Sequence, residues 1–353
     1  MNAVLRAIAT ATPDKYITQQ EAYKFFDSHF ELKPRERELY SRILLDGPIR
    51  GRYFGIDYDE QICENTSQDQ LIQRFTKHGL KISAQAGCKA LQQAGLKAAD
   101  IGGLVVNTCT GYLCPGLSSY IAEELELNNH IKIFDLMGMG CGAAIPNIEC
   151  ASHMLPLEEN KSILSISVEI CSATIFMGAK ADLIVSNSIF GDGASAVIIQ
   201  PGCIDNQTNL LKFIDFESLI FPKFREQLRY RCTDGRLRNV LSKKVPLIAA
   251  KAAAQVTKQL LDRNGITKQQ IDWWAIHPGG TAVLQKIEEE LQIPHQALDF
   301  SYSILRDYGN MSSPTVIFVL DRILQQAKPQ RHQKGILLSF GAGFTAFASL
   351  VEF

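Results

Sequence analysis

The sequence predicts an α/β fold made of two duplicated halves, and two internal matches in the same order predict it. The first sets L-Q-Q-A-G-L-K-A-A-D-I-G-G-L-V-V-N-T, from Leu91, on a segment ending at His277, L-L-D-R-N-G-I-T-K-Q-Q-I-D-W-W-A-I-H. With Gly95 on Gly265, Leu96 falls on Ile266, Ile101 on Ile271 and Val106 on Ile276, an offset of 170 without a gap. The second sets F-G-D-G-A-S-A-V-I-I, from Phe190, on F-G-A-G-F-T-A-F-A-S, from Phe340, at an offset of 150. Self-similarity in one order along a chain is the mark of a repeated structural unit.

Each copy of the first match reads as a helix end, a glycine turn, a short linker and a buried strand. The strand ends near Asn107 in one half and at His277 in the other. Each copy of the second match reads as a tight turn feeding a buried strand. Between the matches, Cys141 stands 34 residues after Asn107, and Asn310 stands 33 after His277. Each follows a glycine and precedes a helix-like run. The uncharged stretch Gly335 to Val351 is as long as a short membrane span, but F-G-A-G-F at its centre and its Ser and Thr residues favour two buried strands joined by a glycine turn. The segment from Lys212 to Lys244, with nine basic and four acidic residues, reads as a solvated surface hairpin, or as a guide for phosphates or a carrier protein. The halves are expected to span 1–205 and 206–353.

Composition removes several classes of function. With 36 basic and 37 acidic residues the formal net charge is -1, so neither nucleic acid nor a membrane surface is an expected partner. The N-terminus M-N-A-V-L-R-A-I-A-T lacks the apolar core of a secretory signal, and a cytoplasmic location is expected. Nine cysteines, an odd number with no C-x-x-C pair, argue against a disulfide framework and against a zinc site. Most of them are expected to be small buried packing residues.

Cys141, His277 and Asn310 therefore sit at element ends that a pseudo-twofold fold would bring together. A cysteine at the first turn of a helix feels the positive end of the macrodipole and unpaired N–H groups, which favour the thiolate. A histidine nearby stabilises it as an ion pair. The flanking glycines let another backbone or a thioester come close. Asparagine does not titrate and suits an oxyanion donor. The trio fits acyl transfer through a covalent thioester. Taken singly, each residue also has a structural reading: a turn cysteine, a strand-capping histidine and a helix-capping asparagine.

The motifs G-M-G-C-G-A around Cys141, A-I-H-P-G-G around His277 and Y-G-N-M-S-S around Asn310 resemble those of the type III polyketide synthases, the chalcone synthase-like enzymes. T-G-Y-L-C-P-G at 110–116 and F-G-D-G-A-S-A at 190–196 follow the family in the same order. The similarity runs through the whole chain, thinner before Arg50 and between 203 and 240, and it looks bacterial in type. It implies a thiolase-like αβαβα layered fold, a homodimer, and iterative decarboxylative condensation of malonyl-CoA onto an acyl-CoA or malonyl starter. Cyclisation would then give a pyrone, resorcinol or phloroglucinol. No metal or redox cofactor is implied. A carrier protein is possible as a partner but not indicated.

Carried over by position, the resemblance makes Cys141 the acyl-accepting nucleophile held as thiolate by His277, with His277 and Asn310 binding the malonyl thioester oxygen. It places Phe190 between a CoA tunnel and the cavity, and Cys114 before a cis-proline in a loop reaching into the partner's cavity. Thr110, Cys171, Thr174 and Ser312 match cavity-lining positions, for each of which ordinary packing is the alternative. Arg50, Gly279, Gly280 and Ala282 match CoA-binding positions, and Gly341 and Gly343 the turn backbone near the oxyanion. The sequence departs from the family at Ala342, where proline is usual, and near Asn239, where an aromatic gate would fall. Arg52 reads as structural. Two further readings remain open at this point: a single-round condensing enzyme like ketoacyl-ACP synthase III, and a catalytically silent scaffold of the same fold.

Overall fold

The computed structural model describes residues 3–57, 66–157, 161–203, 209–233 and 235–353. The chain opens with strand β1 (Ala3–Ala11), then β2 (Lys15–Thr18), helices α1 (Gln19–His29) and α2 (Pro34–Leu44), and β3 (Gly51–Phe54). The rest of the first half is α3 (Gln68–Ala94), β4 (Ile101–Thr108), α4 (Leu117–Glu124), β5 (Lys132–Met137), α5 (Ala144–Met154), β6 (Ser162–Glu169), α6 (Ala181–Ile189) and β7 (Gly193–Pro201). The second half opens with β8 (Leu211–Ile220), the hairpin β9 (Leu228–Thr233) and β10 (Arg236–Leu241), and α7 (Val245–Arg263). It continues through β11 (Trp273–Ile276), α8 (Thr281–Leu291), α9 (Asp299–Tyr308), α10 (Thr315–Arg322), β12 (Lys334–Gly341) and β13 (Thr345–Glu352).

The duplication is visible in the sheet order, β11-β12-β13-β8-β1-β7-β6-β4-β5. β1 and β8 meet antiparallel at its centre, with Ala3 opposite Phe213 and Leu5 opposite Leu211. Outward from that seam the strands match: β7 with β13, β6 with β12, β4 with β11. The edge strand β5 has no counterpart, because α9 occupies its place in the second copy. Gly95 (φ +68°) and Gly265 (φ +63°) end α3 and α7 in the same left-handed turn. Each is followed by a short 3-10 turn, at Ala98–Asp100 and Lys268–Gln270.

Three apolar cores give five layers. α3 and α4 pack on the outer face of the first half-sheet through residues such as Phe75, Ile82, Leu104 and Ile166. α7 and α8 pack on the outer face of the second through Val256, Leu260, Leu284 and Leu338. α5 and α10 lie between the sheets, with Ile145, Ile148, Val316 and Phe318 facing Leu5, Phe213, Leu337 and Phe347. This is the αβαβα layering that the resemblance implied. β1 serves two of these cores because its register shifts between Leu5 and Ala7. Ala3 and Leu5 face the middle core, and Ala7, Ala9 and Ala11 face the outer one. A bulge of this kind turns side chains from one face to the other.

Two expectations need correcting. Lys212–Ile220 is a strand at the centre of the sheet, and only 228–241 forms a hairpin. The charges that suggested a solvated segment lie on the face of β8 toward α7, where Asp215 and Glu217 both pair with Arg263 at 2.8 and 2.7 Å. The cysteines are not mostly buried either. Among the described residues only Cys171 is buried, while Cys88, Cys114, Cys203 and Cys232 are exposed; Cys63 lies outside them. Cys150 packs against the middle core, as helix packing required. Gly335 to Val351 forms β12 and β13, and among the described residues no helix is long and apolar enough to cross a membrane.

Candidate active site

Cys141 occupies a 3-10 turn, Gly140–Gly142, that leads β5 into α5. Gly140 takes φ +62°, which closes the turn. The β12–β13 turn of the other half is pressed onto it. Ala342 N–H donates to Met139 O at 3.0 Å, and Ser339 Oγ donates to Gly142 O at 2.9 Å. A Cβ on Gly341 would stand 2.1 Å from Met139 O, and one on Gly142 would meet the Phe347 ring at 2.8 Å. The glycines beside Cys141 thus admit backbone from the second half.

Asn310 occupies the equivalent turn before α10, after Gly309 at φ +71°. Its main chain is held from both sides: its N–H donates to Ile189 O at 2.9 Å and its C=O accepts from Gly191 N–H at 3.0 Å. Oδ1 accepts from Ser312 N–H at 2.8 Å, which leaves Nδ2 on the side of Gly279 O, 3.3 Å away. His277 follows β11, with its N–H donating to Leu338 O at 2.8 Å. Its ring meets Phe340 edge-on at 5.4 Å, and its buried Nδ1 has no hydrogen-bond partner.

Cys141, His277 and Asn310 share the wall of one cavity of about 660 Å³, with Gly279, Gly280 and Ala282 toward its mouth. Cys141 and Phe190 also line a second cavity of about 450 Å³, floored by Tyr230, Asn239 and Ser312. Cys141 and Phe190 therefore stand where two chambers join. The hairpin β9–β10 walls both, through Leu228 on each side.

The electrostatics differ from the ion pair that sequence reasoning favours. The hydrogen bond to Cys141 Sγ comes from Ser312 Oγ at 3.3 Å, not from His277. Burial pushes the Cys141 thiol up to about 12, against the pull of the Ser312 hydroxyl, and nearby Glu169 pushes the same way as burial. Burial pushes His277 down to about 3. Desolvation outweighs the helix end, so the empty site holds a neutral thiol and a neutral imidazole.

With this geometry in place, sequence comparison adds its own finding. Residues 58–271, more than half of the chain, match the family model described as FAE1/Type III polyketide synthase-like protein. Residues 216–352 match the chalcone and stilbene synthases, C-terminal domain. The chain belongs to the type III polyketide synthases. It is a malonyl-CoA-dependent, carbon–carbon bond-forming acyltransferase. A 3,5-dihydroxyphenylacetyl-CoA synthase of Streptomyces toyocaensis is 29% identical over 301 residues, covering 83% of this chain and 76% of that one. The alpha-pyrone synthesis polyketide synthase-like Pks18 of Mycobacterium tuberculosis is 28% identical over 364 residues, covering 99% of this chain and 91% of that one. The C-terminal type III polyketide synthase domain of Steely1 from Dictyostelium superposes with a TM-score of 0.91 at 25% identity, covering 100% of this chain and 99% of that one.

In this synthase the remaining positions divide. Ser312 and Gly343 line the second cavity, while Gly341 lies against the catalytic turn. Cys171 and Thr174 line only a small void of about 20 Å³ behind Phe190 and Asn239. Thr110 is buried and turned to Glu169 Oε2, its hydroxyl donating at 2.9 Å. Cys114 is exposed and lines neither chamber of its own chain; its bond to Pro115 is cis. Arg50 is also exposed and lines neither chamber. Its N–H donates to Arg306 O at 2.7 Å, at the start of β3, and Lys243 lines the first cavity instead.

Two groups escaped the sequence reading. Arg52 is fully buried and donates to Gln19 Oε1, Asn187 O and Phe190 O at 2.9, 2.8 and 2.7 Å. It clamps the end of α6 and the aromatic between the chambers. Glu169, at the end of β6, is a carboxyl with no solvent exposure. A lone acid in the apolar strand S-I-L-S-I-S-V-E was the available signal.

Proposed function

We propose that Cys141 accepts a starter acyl group from its CoA thioester and that His277 and Asn310 then decarboxylate malonyl-CoA beside it. The observation that carries this is the shared cavity wall, where equivalent turns of the two halves set Cys141 and Asn310 around His277. The neutral imidazole takes the Cys141 proton as the thiol attacks the starter carbonyl, and CoA leaves. An imidazole kept neutral by burial then supplies a hydrogen bond to the malonyl thioester oxygen together with Asn310 Nδ2. Charge grows on that oxygen as CO2 departs, so two preset donors lower the barrier. The enolate carbon attacks the Cys141 thioester, freeing the thiolate and leaving a β-ketoacyl-CoA that reloads for the next round.

The first cavity suits the pantetheine arm, with Gly279, Gly280 and Ala282 giving it room and Lys243 near the phosphates. The second suits the growing chain, with Phe190 between them. Cyclisation there gives a pyrone, resorcinol or phloroglucinol, and no metal or redox cofactor takes part. The working unit is a homodimer in the cytoplasm, whose halves divide as 1–205 and 206–353. Support for the dimer lies in β5, an edge strand that leaves Ile133, Phe134 and Met137 exposed at 40%, 46% and 38%, near Tyr112 at 71%. An open apolar edge of this kind marks an interaction surface. From it, the exposed Cys114-Pro115 loop would reach the partner's cavity.

Radiolabelled malonyl-CoA with a panel of acyl-CoA starters, followed by mass spectrometry of the Cys141 peptide, tests the reading. Cyclised multi-extension products and an acyl adduct on Cys141 are expected. A single β-ketoacyl product on a carrier protein, or an adduct on another thiol, would overturn it.

A further inference from the structure

Glu169 reaches the catalytic turn through one hydroxyl. Its Oε2 accepts from Cys109 N–H at 2.9 Å, Thr110 Oγ1 at 2.9 Å and Thr108 Oγ1 at 3.2 Å. Its Oε1 accepts from Ser313 Oγ at 2.7 Å, and from Cys109 Sγ and Ser312 Oγ, each at 3.3 Å. Ser312 Oγ stands at the same 3.3 Å from Cys141 Sγ. A hydroxyl has one proton, so it can satisfy the carboxylate or the sulfur but not both. Ser312 cannot swing clear of this choice, since it sits at φ +60° with its N–H fixed on Asn310 Oδ1.

The surroundings sharpen the competition. The titratable groups that sense Glu169 are Cys109 at the end of β4, Cys141, Cys171 after β6 and Tyr230 on β9. Asp192 lies beyond Cys171. All are acids, so ionising any of them adds to the carboxylate's field. The donors to Glu169 are one amide, one thiol and four hydroxyls.

We propose that Glu169, acting through the Ser312 hydroxyl, restrains ionisation of Cys141 in the empty synthase, as a positioning residue for the nucleophile. The inference rests on Cys141 being the nucleophile. A carboxylate that draws the Ser312 proton withdraws the one hydrogen bond that would stabilise a Cys141 thiolate, and its charge repels that thiolate through a water-poor interior. Burial raises the Glu169 carboxyl, while the Cys109 amide and the Ser313 and Thr110 hydroxyls oppose that rise. Ser313 thus helps to keep the restraint without touching Cys141.

The test is the pH profile of Cys141 alkylation by iodoacetamide in the full chain, read by peptide mass spectrometry, with exposed Cys88 and Cys203 as references. Glu169→Gln keeps the shape and an acceptor but removes the charge. It should move the profile to lower pH and speed Cys141 labelling near pH 8 by roughly threefold, because a tenfold gain in thiolate is partly offset by its lower nucleophilicity. Ser312→Ala should slow labelling, and Glu169→Gln should gain less in that background. Ser313→Ala, a smaller change, should move Cys141 in the same direction as Glu169→Gln, and it decides the matter if the glutamine variant does not fold. A profile left in place or moved to higher pH, with Cys88 and Cys203 labelling unchanged, would overturn the proposal. Alkylation reports the thiol alone. If Cys141 accepts no acyl group yet Glu169→Gln shifts its profile, the polyketide reading falls and the restraint stands; the reverse result separates them the other way.

Discussion

Phe190 and Asn310 are joined main chain to main chain. They form a parallel bridge in which Asn310 N–H donates to Ile189 O and Gly191 N–H donates to Asn310 O. The aromatic between the chambers and the oxyanion donor therefore move as one piece, and Arg52 holds that piece through Phe190 O. Its stem also fills the space beside Gly309, where a Cβ would meet Arg52 Cγ at 2.8 Å.

Removing the clamp has a definite expected outcome. Arg52→Met would leave Gln19 Oε1 and two carbonyls without their donor. Each orphaned buried acceptor costs about 1–3 kcal/mol, set against the relief of a desolvated charge. A net loss of roughly 2–4 kcal/mol should show as a lower urea midpoint with an unchanged slope. Because the charge is so fully desolvated that its pKa falls to about 10, Arg52→Lys should recover only part of the loss.

The division of labour around the first cavity can be separated by substitution. Cys141→Ala should abolish chain extension and leave malonyl-CoA decarboxylation measurable, since His277 and Asn310 act on the malonyl oxygen without the sulfur. Asn310→Ala should lower decarboxylation by about 10²–10³, the effect of losing one oxyanion donor. Labelled CO2 release set beside product chromatography reads both. Equal loss of both activities in Cys141→Ala would contradict the assignment.

The buried imidazole also sets an acid limit on stability. His277 stays neutral in the fold down to about pH 3 but protonates near 6.5 when unfolded. Its contribution is intact above pH 6.5 and is lost as the pH falls, because the unfolded chain then binds a proton that the fold refuses, at about 1.4 kcal/mol per pH unit. His277→Asn does not titrate. Its stability relative to the parent chain should therefore improve steadily from pH 6.5 toward pH 4, as measured by denaturant unfolding at each pH. A constant difference across that range would show that the ring is protonated in the fold.

A dimer through the β5 edge predicts that Phe134→Glu, which places charge on that edge, yields a monomer by sedimentation velocity. Phe134 is 46% exposed in the single chain, so the substitution should cost little folding stability.

The layers and the catalytic turns were legible because they rest on local patterns repeated at fixed offsets. Gly95 and Gly265 announce the same turn, and Cys141 and Asn310 each follow a glycine before a helix. What was not legible depends on contacts distant in sequence. Lys212 to Ile220 is charged in alternation like a surface strand, and only the approach of Arg263 makes it a central one. The helix end promised a thiolate at Cys141, but the burial that overrides it comes from two halves closing on each other. Glu169 and Arg52 are single charges in the sequence, and their roles come from partners as far away as Ser313 and Phe190.

Ala342 shows how a departure from the family pattern is accommodated. Where the resemblance expects proline, Ala342 N–H donates to Met139 O at 3.0 Å, binding the β12–β13 turn to the residue two before Cys141. Proline has no N–H and cannot make this bond. Ala342→Pro would gain about 0.4–1 kcal/mol from a stiffer unfolded chain. It would lose about 1–3 kcal/mol if Met139 O is left without a donor. The second effect is larger, so a net destabilisation of about 1 kcal/mol is expected. The catalytic turn should loosen with it. Acyl loading of Cys141, followed by mass spectrometry in single turnover, should slow, while decarboxylation by His277 and Asn310 holds. A variant that is more stable and loads as fast would show that the Ala342 hydrogen bond does not set the position of Cys141.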